Sequence, residues 1–315
     1  MVKRLERLEG PRYHLRPEDK EFPEALKRID KPPESLYVIG DPSALSEGLA
    51  VVGARRATPY GISCAHSFAA RAAERGICII SGGARGCDAA SHEAALAVGG
   101  KTVAFLGGGL DEMYPIENAP LFQRIVNGGG AVVSEQEWSF RPLPFTFRER
   151  NRLIAGLAKA TLIVEAGLPS GTFSTADEAL AAGREVLAVP GSITSAHSRG
   201  ANRLIFQGAR PIVDEASFDD VPFELFACLH QEDVRSKAAY RDRFAELAKD
   251  GFAGGEALLD ALRAEPLGME EMRLIASKVC PDSDELAWLM LWLAHAERIG
   301  AVARYPDGRF GPVLV

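Results

Sequence analysis

The chain has 315 residues, 47% hydrophobic and 25% charged, an ordinary globular composition and enough length for one large α/β domain plus a small second one. A formal net charge of −7 excludes a uniformly basic nucleic-acid coat. The charge is uneven, however: residues 214–315 carry 11 basic against 20 acidic residues, which leaves 25 against 23 for residues 1–213, so any polyanion site is expected in the first two thirds.

Residues 1–35 are charged, mixed in sign and proline-containing, and predict a lead-in with one short helix near residues 23–29. From Leu36 onward, continuously apolar, β-branched runs recur at 36–39, 49–52, 77–80, 102–106, 131–134, 161–165, 186–189 and 211–213, as strands buried on both faces should. Between them lie helical patterns at 64–75, 89–98, 120–127, 152–158 and 174–182, with Gly76, Gly99, Gly128 and Gly183 near their ends. The alternation predicts an α/β fold: a Rossmann-like, mainly parallel sheet with helices on both faces, over residues 36–213. Residues 214–254 read as an acidic helical linker ending at Gly254-Gly255. Residues 255–315 read as a winged-helix-like domain: three short helices, then a hairpin around Pro306-Asp307-Gly308.

The five cysteines (Cys64, Cys78, Cys87, Cys228 and Cys280) are odd in number and form no CxxC pair, which suits reduced thiols. The first ten residues lack an apolar signal core, and no run of about 18 apolar residues is present, so a cytoplasmic protein without a membrane span is expected. The six histidines are scattered and show no metal-ligand spacing, so neither a metal nor another cofactor is expected.

Five expected strand ends run into small or charged residues: Gly53-Ala54-Arg55-Arg56, Ser81-Gly82-Gly83 followed by Arg85, Gly107-Gly108-Gly109, Ser170-Gly171-Thr172, and Gly191 after Pro190. In an open parallel sheet these loops share one edge, where backbone N–H groups and helix N-termini can cradle anions. None reads G-x-G-x-x-G and there is no P-loop, so a nicotinamide or NTP enzyme fits poorly. Asp88 and His92 share a helix face, which more often stabilises a helix than performs acid–base chemistry. Glu165, at a strand end, is the best single carboxylate for catalysis but lacks an evident nucleophile. The strongest basic cluster is Phe147-Arg148-Glu149-Arg150-Asn151-Arg152, read as a loop before a helix, with Phe145 just ahead of it. Aromatic rings interleaved with arginines hold single-stranded nucleic acid by stacking on bases and pairing with phosphates. Equally, the Phe residues could anchor the loop in the core while the arginines pair with Glu135 and Glu137. Arg199, Asn202 and Arg203 follow a later strand.

VVGARRATPYG, SGGARGCDAASHEAAL, LGGGLDEMYPIEN, FRERNRLIAGLA, SGTFSTADEALAAGREVLAVPGS and SRGANRLIFQGA stand in the order and spacing of the DNA-processing protein A family (DprA, also called Smf), which the chain resembles over about residues 36–213. The resemblance implies a homodimeric mediator, not an enzyme, that binds single-stranded DNA and helps load the RecA recombinase onto incoming strands in natural transformation. It puts strand contacts at Gly53, Ala54, Arg55, Phe147, Arg150, Asn151 and Arg152; the residues themselves add Arg56, Arg85, Arg148, Arg199 and Asn202 as expected strand contacts, and anion-cradling loops at the glycine turns. Three departures stand out: Arg148 where members often have proline, Pro144-Phe145-Thr146 where they tend to have a basic residue, and a short N-terminal segment. Two other classes remain open: a nucleotide-hydrolysing enzyme, loosely echoed by Ser170-Gly171-Thr172 with Glu178, and a sensor of a nucleotide signal.

Overall fold

The computed structural model describes residues 7–168, 171–226, 255–264, 267–279, 285–298, 302–304 and 309–312. The chain divides into two compact units, Met1–Cys228 and Leu229–Val315. The first unit is built on nine strands: β1 (Arg12–Leu15), β2 (Leu36–Gly40), β3 (Gly48–Val52), β4 (Ile79–Ser81), β5 (Thr102–Phe105), β6 (Ala131–Ser134), β7 (Ala158–Ile163), β8 (Glu185–Ala188) and β9 (Arg210–Pro211). They lie in the order β1-β2-β6-β5-β4-β3-β7-β8-β9. All neighbours from β6 to β9 pair in parallel, while β1–β2 and β2–β6 are antiparallel.

Period-2 alternation divides the strand side chains between two layers of helices. In β3, Leu49 and Val51 join one core with α2 (Pro59–Glu74), α3 (Cys87–Ala97) and α8 (Glu215–Phe226), while Ala50 and Val52 join another with α1 (Glu24–Lys27), α5 (Thr146–Leu157) and α6 (Thr172–Ala181). The expected Rossmann-like sheet with helices on both faces is what forms. Two further helices, α4 (Ala119–Asn127) and α7 (Arg199–Phe206), complete the layers.

Three elements depart from the sequence expectations. The lead-in supplies an edge strand, β1, whose RYHL alternates too weakly to be legible, besides α1, whose Leu26 packs with Ile29 just beyond the helix against Gly156 of α5. Helix α5 begins at Thr146, six residues before the expected start, and absorbs the whole basic cluster. Helix α8, expected in the linker, packs on α2: Phe218 meets Phe68 with ring centroids 4.8 Å apart, and Asp219 pairs with Arg71 at 2.8 Å and Arg75 at 2.7 Å.

The second unit holds α9 (Gly255–Ala264), α10 (Met269–Val279), α11 (Glu285–Arg298) and the antiparallel pair β10 (Val302–Arg304) and β11 (Phe310–Pro312), around a core of Leu258, Met272, Leu289 and Trp292. Residues 227–254 and the expected hairpin turn at 306–308 lie outside the described residues, as do Cys228, His230 and Cys280. Among the described residues no helix is long and apolar enough to cross a membrane, and no group of His, Cys, Asp and Glu side chains could hold a metal ion.

Candidate nucleic-acid interface

The direction of winding reverses between β3 and β7. From β3 the chain steps outward through β4, β5 and β6, then returns to β7 on the other side of β3 and continues through β8 to β9. Beyond the carboxyl ends of such strands an open sheet leaves a crevice. Here it is a cleft of about 750 Å3 lined by Gly53–Arg56, Phe147, Arg148, Arg150, Asn151, Gly171 and Thr172.

The loop after β3 is held from below. Thr58 caps α2 by accepting from Gly61 N–H at 3.2 Å. The Thr58 N–H and hydroxyl donate to the Glu165 carboxylate at 2.8 and 2.7 Å. Glu165 is 3% exposed and therefore anchors two loops, which removes it as the catalytic candidate of the sequence reading. The loop after β4 holds a second internal carboxylate. Asp88 accepts from Gly82 N–H at 3.2 Å and Ala84 N–H at 3.3 Å, so the anion seat expected in this turn is filled by the chain itself. Gly86, at φ 77°, lies so close to the β3 loop that a Cβ would stand 2.2 Å from Ala54 O. Arg55 and Arg56 project from this doubly anchored rim and are exposed.

Because the basic cluster is helical, successive side chains turn by about 100° and part company. Phe147, Arg150, Asn151 and Ile154 share the face that lines the cleft. Phe147 is half-buried: its ring lies over Gly107, where a Cβ would come within 2.8 Å, with the Arg55 guanidinium 5.4 Å from its centroid and Tyr114 edge-on at 5.5 Å. It is thus neither a core anchor nor a free loop ring. Arg150 is 5% exposed; its Nη1 donates to Gly82 O at 2.7 Å and to Phe105 O, and its Nε has no hydrogen-bond partner. Burial pushes the Asp88 carboxyl up and the Arg150 guanidinium down, their mutual attraction offsets part of both, and Arg55 depresses Arg150 further. Asn151 donates to Ser174 Oγ at 2.7 Å, joining α5 to α6. Arg148 is exposed at the cleft. Arg152 turns away, pairing with both Glu135 oxygens at 2.8 and 2.6 Å and donating to Lys31 O, so the sequence placement of Arg152 on the strand-contacting face is corrected.

Other expected residues separate in the same way. Gly107, Gly108 and Gly109 are buried under residues 137–147, and Gly109 N–H is taken by Phe140 O at 2.8 Å, so this turn is a packing surface and not an anion cradle. Ser81 is buried, its hydroxyl donating to Val51 O at 2.6 Å, and Gly83 is covered by Phe122. Asn202 clasps Gly191 from both sides, accepting its N–H at 3.1 Å and donating to its carbonyl at 2.9 Å; neither residue lines the cleft, and nor does the exposed Arg199. Ser170 lies outside the described residues. Glu178 lines a separate cavity beside Arg152 and Lys31, while Gly171 and Thr172 line the main cleft. His92 does not bond Asp88: Thr102 Oγ1 donates to Ile79 O and so accepts from His92 Nδ1–H at 2.7 Å, while burial lowers the imidazole pKa to about 3. Arg85 is exposed and pairs with Glu117 at 3.2 Å beside a smaller chamber. Tyr114, Pro142, Pro144 and His197 also line the cleft although no motif announces them there; the Tyr114-Pro115 pair after the triple glycine is the one local signal.

Fold and cleft together define a Rossmann-like protein whose switch-point crevice is cationic and aromatic and whose nearby carboxylates are turned inward. The family model for DNA recombination-mediator protein A matches residues 14–221, and the chain belongs to this family. It is similar to Protein Smf of Escherichia coli K12, 42% identical over 241 residues that cover 72% of this chain and 64% of that protein, so it spans less than two thirds of that relative's length. Among solved structures it resembles DNA processing protein A of Streptococcus pneumoniae (TM-score 0.62, 34% identity, 70% of this chain and 76% of that one). It also resembles that of Helicobacter pylori (TM-score 0.62, 30% identity, 70% and 98%), whose structure is described by its single-stranded DNA binding mode.

Proposed function

We propose that the cleft binds single-stranded DNA and that the protein acts as a recombination mediator and not as an enzyme. The observation that carries this reading is the contact of Arg55 with Phe147 at the mouth of the switch-point cleft: a guanidinium for a phosphate beside a half-buried ring for a base. Exposed Arg56 and Arg148 extend the positive rim along the path of a backbone. The single-stranded DNA binding mode of the Helicobacter pylori relative supports the same ligand. Loading of a RecA recombinase is the step that a recombination mediator of this family would serve, in the cytoplasm and during transformation. A homodimer is part of the proposal; Phe206 at the end of α7, 82% exposed, and Val213 beyond the β9 edge offer apolar surface for a second copy. In the second unit, α11 exposes Leu286, Met290 and Leu291 where a groove-reading helix would carry cations, which favours a protein contact over DNA for the unit. The decisive experiment titrates single-stranded and duplex oligonucleotides of equal length at several salt concentrations. Preference for the single strand, with affinity falling as salt rises, is expected; equal affinity for the duplex would refute the reading.

A further inference from the structure

Beside the main cleft lies a second chamber of about 210 Å3, with Arg55, Arg56, Arg85, Arg150, Tyr114 and Phe147 in its walls. This is smaller than the about 300–1,000 Å3 of sites that enclose a whole ligand molecule, so it suits a terminal group better than a passing nucleotide chain. Tyr114 and Phe147 meet edge to face, with planes at 62°, which leaves no parallel slot for a base between them. Four guanidinium groups converge here, against Glu117 paired with Arg85 and Asp88 beside Arg150; among the described residues Arg55 and Arg56 form no ion pair. Arg150 is more than nine-tenths buried and lines the chamber beside Gly82, where any side chain would stand against its guanidinium.

An internal phosphodiester brings one negative charge, whereas a phosphate monoester brings about 1.5 to 2 at neutral pH and three acceptor oxygens. We propose that the small chamber is a phosphate-monoester site that takes the terminal phosphate of a single strand whose body lies in the main cleft. The inference rests on the single-strand reading above and adds to it a preference for strand ends.

The test uses the full chain and internally labelled oligothymidylates of one length, ending in a 5′-phosphate, a 3′-phosphate or hydroxyls alone, with a circular strand as the endless control. One phosphorylated end is expected to raise affinity about tenfold over the hydroxyl-ended and circular strands, the scale of one charge-assisted hydrogen bond. Arg85→Ala should bring that ratio to about one, and since Arg85 is exposed its melting temperature reports whether the variant is intact. Equal affinity for all four strands would overturn the proposal and leave single-strand binding standing; no binding to any strand would remove both. If thymidine 5′-monophosphate binds while phosphorylated ends make no difference, the chamber serves a free nucleotide and the strand-end proposal fails. A ratio that survives Arg85→Ala also overturns it.

Discussion

Arg55 and Phe147 touch, yet they offer a strand different physics. A guanidinium on a phosphate releases counterions on binding, so Arg55→Ala is expected to reduce the single-strand salt slope by about 0.7. Gly107→Ala removes no charge; its Cβ would stand 2.8 Å from the Phe147 ring and displace it, costing part of the about 1–3 kcal/mol of base stacking with the slope unchanged. Salt titrations of the two variants check both assignments, and a flattened slope for Gly107→Ala would reverse them. His92 carries a prediction about stability. Its folded pKa of about 3 lies below the ordinary 6.5, so as pH falls below 6.5 the unfolded chain takes up a proton that the folded one refuses until about pH 3. The stabilisation is whole above pH 6.5 and declines on acidification, by at most about 1.4 kcal/mol per pH unit. His92→Asn keeps a donor for Thr102 Oγ1 and removes the titration, so its denaturant midpoint should change less than the wild type's between pH 6.5 and 5.

At the scale of one element, α5 sorts its own side chains. The sequence showed aromatics and arginines in a row; helical rotation assigns Phe147 and Arg148 to the cleft, Arg150 to its floor and Arg152 to Glu135 behind it. Arg152→Ala is therefore expected to lower stability by about 1–3 kcal/mol, because Glu135 loses a bidentate partner at a site where both side chains are about 15% exposed or less. Its salt slope for single-stranded DNA should remain that of the wild type, and a slope reduced like that of Arg55→Ala would return Arg152 to the interface. The start of α5 was illegible because its inward face carries Arg150 and Asn151: polar residues buried for their hydrogen bonds break the apolar period that announces a helix.

On the scale of the whole molecule, the first unit should carry the strand affinity by itself, with α8 included. A chain ending at Phe226 is expected to keep single-strand affinity and a cooperative melt if it retains its oligomeric state. One ending at Asp214 would strip Arg71 of Asp219 and Glu215 and leave Phe68 without Phe218, and breaking a buried ion pair costs about 3–5 kcal/mol. Thermal melts and anisotropy titrations of the two truncations check this; loss of affinity in a folded Phe226 truncation of unchanged oligomeric state would give the second unit a share of the binding.

The parallel sheet, the two helical layers and the small-residue loop at Gly53–Arg56 were legible in the residues alone, because continuous apolar strands, glycine punctuation and the regular alternation of strand and helix patterns are local and periodic signals. The sequence also singled out Arg55 and Phe147, through the likeness of their motifs to one family, and the fold brings the two side chains together. The tertiary structure alone decided which glycine turns are open and which are packed: the triple glycine lies under residues 137–147, and the turn after β4 is closed by Asp88. Those outcomes depend on what reaches each turn from distant parts of the chain. A backbone N–H is a donor wherever the sequence puts it, and only the packed fold determines whether a carbonyl, a carboxylate or a ligand meets it.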